Sequence, residues 1–241
     1  NGSLGDERML YFRELVSRFG HSPALIWNLG EENTNTTEQQ KAFCEYLDRI
    51  DAMDHPIVLH TFPRKWEQVY APLLGFKGLD GLSLQLGGAN QITHELTRDW
   101  LKRSAEAGHQ WFVCHDETGP ADRGLDPDSR TEDNNQGKLR AEALWGNLMA
   151  GGAGVEWYFG YKNPHSDINA EDWRSRDRAW DYTRHALHFF QKYLPFQQME
   201  SADALLLDAE DNDHVFRKAG EVYAVYLQHG REATLDLSEA K

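Results

Sequence analysis

The sequence predicts an α/β fold built from repeated strand–helix units. Two observations predict this class: short apolar runs of strand length alternate with segments of helical periodicity, and the alternation repeats along most of the chain. Short apolar strands separated by helices are typical of a parallel sheet that is covered by helices. The 241 residues, 40% of them hydrophobic, suffice for one sizeable domain of this class with a small appendage.

The strand candidates follow one another in chain order at 24–29, 57–60, 81–85, 110–114 and 154–158. The segments with helical periodicity are 7–19, 37–52, 64–74, 91–107, 136–150 and 172–192. Gly20 provides a stop after the first helix, and Thr37 can cap the second at its N-terminus. The resulting order is a succession of five βα units.

The βα alternation stops near residue 196, and the rest of the chain has the pattern of a small all-β segment. Short strand candidates are separated there by polar turns and lie at 204–207, 214–217, 222–226 and 233–237. We therefore predict a domain boundary near 196–200, with the βα part over 1–196 and an all-β segment over 197–241. A segment of roughly 45 residues is marginal for an independent core.

Two arrangements suit five βα units: an open doubly wound sheet, or the later units of an eight-stranded (β/α)8 barrel. A doubly wound sheet usually has a glycine-rich phosphate turn after its first strand. Here the first strand candidate is followed by Gly30-Glu31-Glu32-Asn33, whose two carboxylates would repel a phosphate. The barrel, a TIM-type fold, is therefore favoured.

Composition and charge exclude several kinds of partner. Lys and Arg number 25 against 39 Asp and Glu, a formal net charge of −14, which argues against nucleic acid and against an anionic membrane surface. No apolar stretch approaches the roughly 20 residues of a membrane helix, and no signal-peptide pattern is present. The two cysteines, Cys44 and Cys114, are too few for a disulfide framework and are interpreted as buried thiols.

Polar residues stand at the carboxyl end of every strand candidate, where functional residues of parallel βα folds collect. In chain order they are Glu31, Glu32, Asn33, His60, Gln85, His115, Asp116, Glu117, Glu156 and the aromatic Trp157. Like charges that face one cleft cost stability, so a purely structural sheet has no need of acids there. Acids after two non-adjacent strands suggest chemistry with paired carboxylates.

The segment Trp27-Asn28-Leu29-Gly30-Glu31-Glu32-Asn33 resembles the fourth-strand motif of clan A (β/α)-barrel glycoside hydrolases. More closely it resembles the apiosidase-like branch, whose C-terminal β-sandwich domain is described as collagen-binding; residues 222–237 resemble the opening of that domain. Nothing in the residues themselves supports collagen binding, and we do not adopt it.

The resemblance implies that 24–29 is strand four and 110–114 is strand seven of the barrel. Strand four carries the acid/base in this clan and strand seven the nucleophile, which assigns Glu32 and Glu117 to these roles. The family usually has Asn before the acid, where this chain has Glu31, so Glu31 competes with Glu32. The resemblance also implies that the first three barrel strands lie elsewhere in the same longer polypeptide, and that the enzyme is secreted or periplasmic.

The predicted activity is that of a retaining glycosidase that cleaves a polysaccharide or oligosaccharide, which needs two carboxylates about 5–5.5 Å apart. The residues expected to bind the carbohydrate are Asn28, Glu31, Asn33, His60, Gln85, His115, Glu156 and, by stacking, Trp157. Each has a structural alternative: Glu32 and Glu117 could serve neighbouring helix N-termini, and Trp157 could be a core residue. The loop 118–135 is long enough to be a lid candidate.

We expect no cofactor and no metal. His60, His115 and Asp116 are residue types that bind metals, but no local ligand motif accompanies them. A non-catalytic carbohydrate-binding barrel remains the alternative function, and a metal-dependent hydrolase is a weaker one.

Overall fold

The computed structural model describes residues 2–30, 32, 35–166, 169 and 172–240. It confirms the α/β class: five parallel strands form one sheet, and three antiparallel strands form a second, smaller sheet near the C-terminus. The strands of the first sheet are β1 (Trp27–Asn28), β2 (Ile57–His60), β3 (Gly81–Leu84), β4 (Phe112–His115) and β5 (Gly154–Val155). Each lies within or overlaps one predicted strand.

The sheet order follows the chain order, β1-β2-β3-β4-β5. Trp27 pairs with Ile57, and Val58 pairs with Gly81, so the first three strands run in parallel register. The β4–β5 pair aligns Cys114 with Gly154. A helix or a longer connection follows each strand, as parallel pairing requires.

The helices are α1 (Asp6–Phe19), α2 (Thr37–Ile50), α3 (Trp66–Tyr70), α4 (Thr93–Glu106), α5 (Gln136–Leu139), α6 (Gly146–Met149) and α7 (Asp177–Tyr193). A π-helical segment, Arg140–Trp145, joins α5 to α6. Thr37 was predicted to cap α2, which is wrong by one residue. Thr36 is the cap: its side chain accepts from the Gln39 N–H, while the Gln39 side chain accepts from the Thr36 N–H.

The chain forms two compact units. Unit 1 contains the residues up to Gln85 together with Trp100–Val113, and large apolar and aromatic side chains are buried in it. Leu59 and Leu82 are completely buried there, as are Tyr70 and Trp100, which meet edge to face. The Tyr70 hydroxyl lies 3.2 Å from both the Leu59 and the Ser83 carbonyl oxygens, which ties α3 to β2 and β3.

Unit 2 contains Leu86–Asp99 and the residues from Cys114 onward. Its C-terminal sheet consists of β6 (Glu200–Ser201), β7 (His214–Lys218) and β8 (Val222–Tyr226). Phe216 and Ala224 of this sheet belong to the same hydrophobic cluster as Leu148 of α6 and Phe190 of α7. Side chains of the all-β segment 197–241 therefore share a hydrophobic core with the preceding helices, and the domain boundary near 196–200 stays a prediction.

Two predicted C-terminal strands are wrong. Residues 204–207 were predicted as a strand, but Asp203–Leu205 is a 3₁₀ helix, and Leu206 makes only an isolated antiparallel bridge to Leu235. That bridge is also all that 233–237 contributes. An apolar run shows that side chains can be buried but does not provide a pairing partner.

Both cysteines are free thiols; Cys44 is buried and Cys114 is half-buried. Burial raises the pKa of each thiol to about 12, so neither is a reactive thiolate near neutral pH. Among the described residues, no helix has both the length and the apolar character to cross a bilayer.

Candidate active site

The two glutamates predicted to be catalytic share an unusual backbone conformation. Glu32 follows β1 and has φ +46°, and Glu117 follows β4 and has φ +51°. Only seven of the described non-glycine residues have a positive φ, and a residue without glycine's freedom holds this conformation at a cost of about 1–3 kcal/mol. Such residues cluster at functional sites, because the surrounding structure must hold them in place. Glu32 is exposed and Glu117 is partly buried.

The turn that carries Glu117 is held in place by the residues that follow it. The Thr118 hydroxyl donates to the Glu156 carbonyl at 3.1 Å, and the Gly119 N–H donates to Asn90 Oδ1 at 3.4 Å. Gly119 has φ +90°, and a β-carbon there would lie 2.8 Å from the Gly124 carbonyl oxygen. Only glycine fits this position, so the turn after Glu117 is closely defined.

His115, at the end of β4, is completely buried and carries no charge near neutral pH. Burial lowers its pKa to about 3. The Thr93 hydroxyl donates to the Asn90 carbonyl at 2.6 Å, so the contact of 3.1 Å between Thr93 Oγ1 and His115 Nδ1 requires the proton on Nδ1. His115 Nε2 is then an acceptor, and it has no hydrogen-bond partner within the described ranges.

In unit 1, Ser83 brings together two of the predicted substrate-binding residues. The Ser83 hydroxyl of β3 contacts His60 Nδ1 at 2.9 Å and accepts a hydrogen bond from Asn28 Nδ2 at 3.3 Å. His60 is buried at the end of β2, whereas Asn28 is exposed at the end of β1. Gln85 is buried, and its carbonyl accepts from Trp66 Nε1 at 3.1 Å.

An open cavity of about 410 Å³ lies beside these strand ends in unit 1. It is lined by Asn35 and Thr36, in the segment that leads into α2, and by Thr61 and Phe62, which directly follow His60. Its size falls within the range of roughly 300–1,000 Å³ found for small-molecule sites.

The remaining predicted site residues have different surroundings. Glu156 is exposed, and its backbone N–H donates to the His115 carbonyl at 3.0 Å. Trp157 is only 7% exposed, packs in the core of unit 2 and donates from Nε1 to Thr183 Oγ1 at 2.7 Å. The structural alternative for Trp157 therefore fits, since a buried ring offers no broad face for stacking. Glu31 and Asn33 lie outside the described residues.

The loop 118–135 is closed by its own contacts. Asp126 is completely buried and forms an ion pair with Arg123, and it exchanges hydrogen bonds of 2.9 Å with Asn135 in both directions. This network favours an ordered loop over a freely opening lid.

Ser83 and Thr93, which contact His60 and His115, were not among the predicted site residues. Ser83 was detectable in part, as the polar residue inside an otherwise apolar strand. No sequence pattern indicated Thr93, because its contact with His115 depends on how α4 packs against β4.

Two solved structures are similar to this chain. One is a glycoside hydrolase family 5 protein from Bacteroides vulgatus ATCC 8482, with a TM-score of 0.69 and 16% identity over 98% of this chain and 56% of that one. The other is described as a glycoside hydrolase and has a TM-score of 0.61 and 12% identity over 88% of this chain and 53% of that one. The chain thus spans about half the length of these structures. No protein-family model and no curated protein matches the sequence. At such low identity the similarity shows the fold alone: a five-stranded parallel α/β sheet that resembles the TIM barrels of these structures.

Proposed function

We propose that the protein is a retaining glycoside hydrolase in which Glu32 is the acid/base and Glu117 the nucleophile. The observation that carries the proposal is that both glutamates lie shortly after strands of a parallel sheet like that of the glycoside hydrolase structures, and that both have a positive φ. If β1 corresponds to the fourth barrel strand, then β4 is the seventh, and the two carboxylates would have the positions that the resemblance to clan A implies for the acid/base and the nucleophile.

The proposed reaction has two steps. Glu117 attacks the anomeric carbon while Glu32 protonates the leaving glycosidic oxygen, which forms a covalent glycosyl–enzyme. Glu32 then removes a proton from a water molecule, and the hydroxyl group displaces Glu117 from the anomeric carbon. Both carboxyl groups return to their starting protonation states.

The neighbouring residues suit substrate binding. Asn28, His60 and Ser83 form a hydrogen-bonded group that can present polar atoms to sugar hydroxyls, and we include Gln85, His115, Glu156 and the undescribed Glu31 and Asn33 in the same role. The carbohydrate substrate, the secreted or periplasmic location and a longer polypeptide that supplies the first three strands are parts of this proposal. So are the apiosidase-like affiliation and the β-sandwich character of the C-terminal segment.

The proposal is tested with aryl glycosides and defined oligosaccharides, with the anomeric form of the product followed by NMR. Glu32→Gln should lower kcat/KM on substrates with poor leaving groups by about 10²–10⁴, and much less on substrates with good leaving groups, because the departure of these groups in the first step needs no protonation. Glu117→Gly should lose turnover, and added azide should restore it by forming a glycosyl azide of the opposite anomeric configuration.

Glu132→Gln is the matched control, because Glu132 is an exposed carboxylate in the loop 118–135. It should retain full activity. If Glu117→Gly kept more than a few per cent of the activity without azide, Glu117 would not be the nucleophile. Binding of glycans without hydrolysis would instead support a non-catalytic barrel, and loss of activity on chelation would support a metal-dependent hydrolase.

A further inference from the structure

Unit 2 contains a group of three side chains whose metal-binding atoms converge. They are His94 in the first turn of α4, Asp203 in the 3₁₀ helix after β6, and His214 at the start of β7. Within the described part of the chain this is the one such group found, and its ligand atoms all lie within 4.8 Å of one another. The residues are far apart in sequence, which is why the sequence analysis predicted no metal site.

His94 is oriented as metal-binding histidines usually are. Its Nδ1 donates to the Gly146 carbonyl at 2.9 Å, which fixes the ring and leaves Nε2 to face Asp203 Oδ2 at 2.7 Å. A backbone carbonyl on the outer nitrogen is a common feature of histidine ligands. The other Asp203 oxygen, Oδ1, accepts the Val215 N–H at 2.8 Å, so Oδ2 is directed towards the histidines. A nitrogen lone pair and a carboxylate oxygen this close need a proton or a cation between them.

His214 provides an independent indication of a ligand. Its side chain is 9% exposed, yet neither ring nitrogen has a hydrogen-bond partner among the described residues. Its Nδ1 lies 3.8 Å from Asp203 Oδ2, beyond hydrogen-bond distance but on the side of the group where the ligand atoms meet. A buried imidazole whose nitrogens make no hydrogen bond is a suitable place for a bound ion or water molecule.

We propose that His94 Nε2, Asp203 Oδ2 and His214 bind a divalent transition-metal ion, for which Zn²⁺ is the best fit. Two imidazoles and one carboxylate suit zinc, whereas calcium and magnesium prefer oxygen ligands alone. The Ser201 hydroxyl, 3.2 Å from His94 Nε2, or a water molecule would complete a tetrahedron.

Metal binding requires small and specific movements. Bonds of about 2.0–2.1 Å around a tetrahedral zinc place ligand atoms about 3.4 Å apart, so the 2.7 Å contact widens and the 3.8 Å contact shortens. The His94 and His214 rings, now stacked with centroids 3.8 Å apart, turn so that both nitrogens reach the ion. The Arg98 guanidinium, 3.3 Å from Asp203 Oδ2 and 49% exposed, moves into solvent.

The test uses the full chain after removal of metals with EDTA and dialysis. Zn²⁺ alone is titrated against a chromophoric chelator, and bound zinc is counted by mass spectrometry. We expect one tightly bound Zn²⁺ per chain and a higher Tm with zinc, because the ion binds the folded state. His214→Gln and Asp203→Asn should each weaken binding at least 100-fold. His185→Gln, which changes an exposed histidine on α7, should bind as the wild type does.

A second measurement keeps the proposal testable if a variant does not fold. Co²⁺-loaded wild-type protein should show the intense visible spectrum of tetrahedral coordination, and X-ray absorption of the zinc form should show imidazole and oxygen ligands only. Equal zinc affinity in the wild type and in folded His214→Gln would overturn the proposal. So would the absence of stoichiometric binding by the wild type, in which case His94 and Asp203 form a metal-free ion pair.

Discussion

Asp51, at the C-terminus of α2, connects this helix to β1, and its replacement by asparagine tests how the strand that leads to Glu32 is held. Its Oδ2 accepts from Trp27 Nε1 at 2.8 Å and from the His55 backbone N–H at 3.1 Å, and it contacts His55 Nδ1 at 2.7 Å. Its Oδ1 accepts the Met53 N–H at 3.1 Å. The carboxylate is 3% exposed, so water cannot replace these partners.

The Asp51→Asn variant retains one acceptor oxygen but places an amide nitrogen where Oδ2 stood. The Trp27 indole N–H and the His55 backbone N–H then lose their charged acceptor. Hydrogen bonds to charged groups contribute about 1.5–3 kcal/mol each, so we expect the free energy of unfolding to fall by about 3 kcal/mol. The comparison is made near pH 5.5, within the pH window derived next.

The loss of unfolding free energy in Asp51→Asn should depend on pH in a defined direction. Burial raises the pKa of Asp51, but hydrogen bonds from Trp27 and His55 outweigh it, and the net pKa is lowered. The Asp51 contribution is therefore present above the unfolded value of about 3.9 and is lost as the pH falls through the folded pKa. The hydrogen bond to Asp51 raises the pKa of His55, so the His55 contribution is present below about pH 6.5 and is lost as the pH rises through the folded pKa.

Urea unfolding followed by tryptophan fluorescence from about pH 3 to pH 9 measures this difference between wild type and variant. The difference should be largest between about pH 4 and pH 6.5 and should shrink on both sides. Asp48→Asn, an exposed change on the same helix, should stay within about 0.5 kcal/mol of the wild type. A loss below about 1 kcal/mol for Asp51→Asn, or a difference that is flat with pH, would refute the reasoning.

Two further predictions concern the turn that carries Glu117. Gly119→Ala should destabilise the protein by about 1–3 kcal/mol and lower turnover, because φ at this position is +90° and the new β-carbon would clash with the Gly124 carbonyl oxygen. Gly137→Ala is the control and should do neither, since a β-carbon at Gly137 meets nothing within 4 Å. Equal behaviour of the two variants in thermal unfolding and in the glycoside assay would contradict this. Thr93→Val should cost about 1–3 kcal/mol, because the buried His115 Nδ1–H loses its acceptor, and Thr93→Ser should restore most of that loss in urea unfolding. If Ser and Val were equivalent at this position, the His115 tautomer assigned above would be wrong.

The existence and order of the five parallel strands could be predicted because apolar periodicity is a local property. Their lengths could not. The run at 24–29 is apolar except for Asn28, yet β1 covers only Trp27–Asn28, since pairing with β2 begins at Trp27 opposite Ile57. The run at 204–207 failed for a related reason: Leu207 is 66% exposed, and its neighbours adopt a 3₁₀ turn. Strand boundaries depend on the partner strand, which a single segment does not contain.

The residues of the candidate site also differ in whether a local sequence pattern could predict them. A polar residue directly after an apolar run is a local signal, and it pointed to Glu32, His60 and Glu117. The residues that orient them, Ser83 and Thr93, and the cluster of His94 with Asp203 and His214 arise from contacts between distant segments. No pattern along the chain indicates which serine or histidine will meet another across a fold.

The structure also bears on the structural alternatives for the two glutamates. If Glu32 served the N-terminus of α2, that end would depend on it, but Thr36 and Gln39 already form a capping box there. Glu38 occupies the first turn, and its pKa is lowered by a backbone hydrogen bond and by Thr36, as expected for an acid at that end of a helix.

Along the chain, the next helix after Glu117 is α5, which begins at Gln136 beyond the loop 118–135, so Glu117 is not in position to cap the helix that follows it. A structural explanation would therefore have to account for a partly buried glutamate held at φ +51° by a turn that only glycine can complete. Strain of this kind persists where a side chain must point in one direction. In the proposed function, this turn would hold the Glu117 carboxylate for attack on the anomeric carbon.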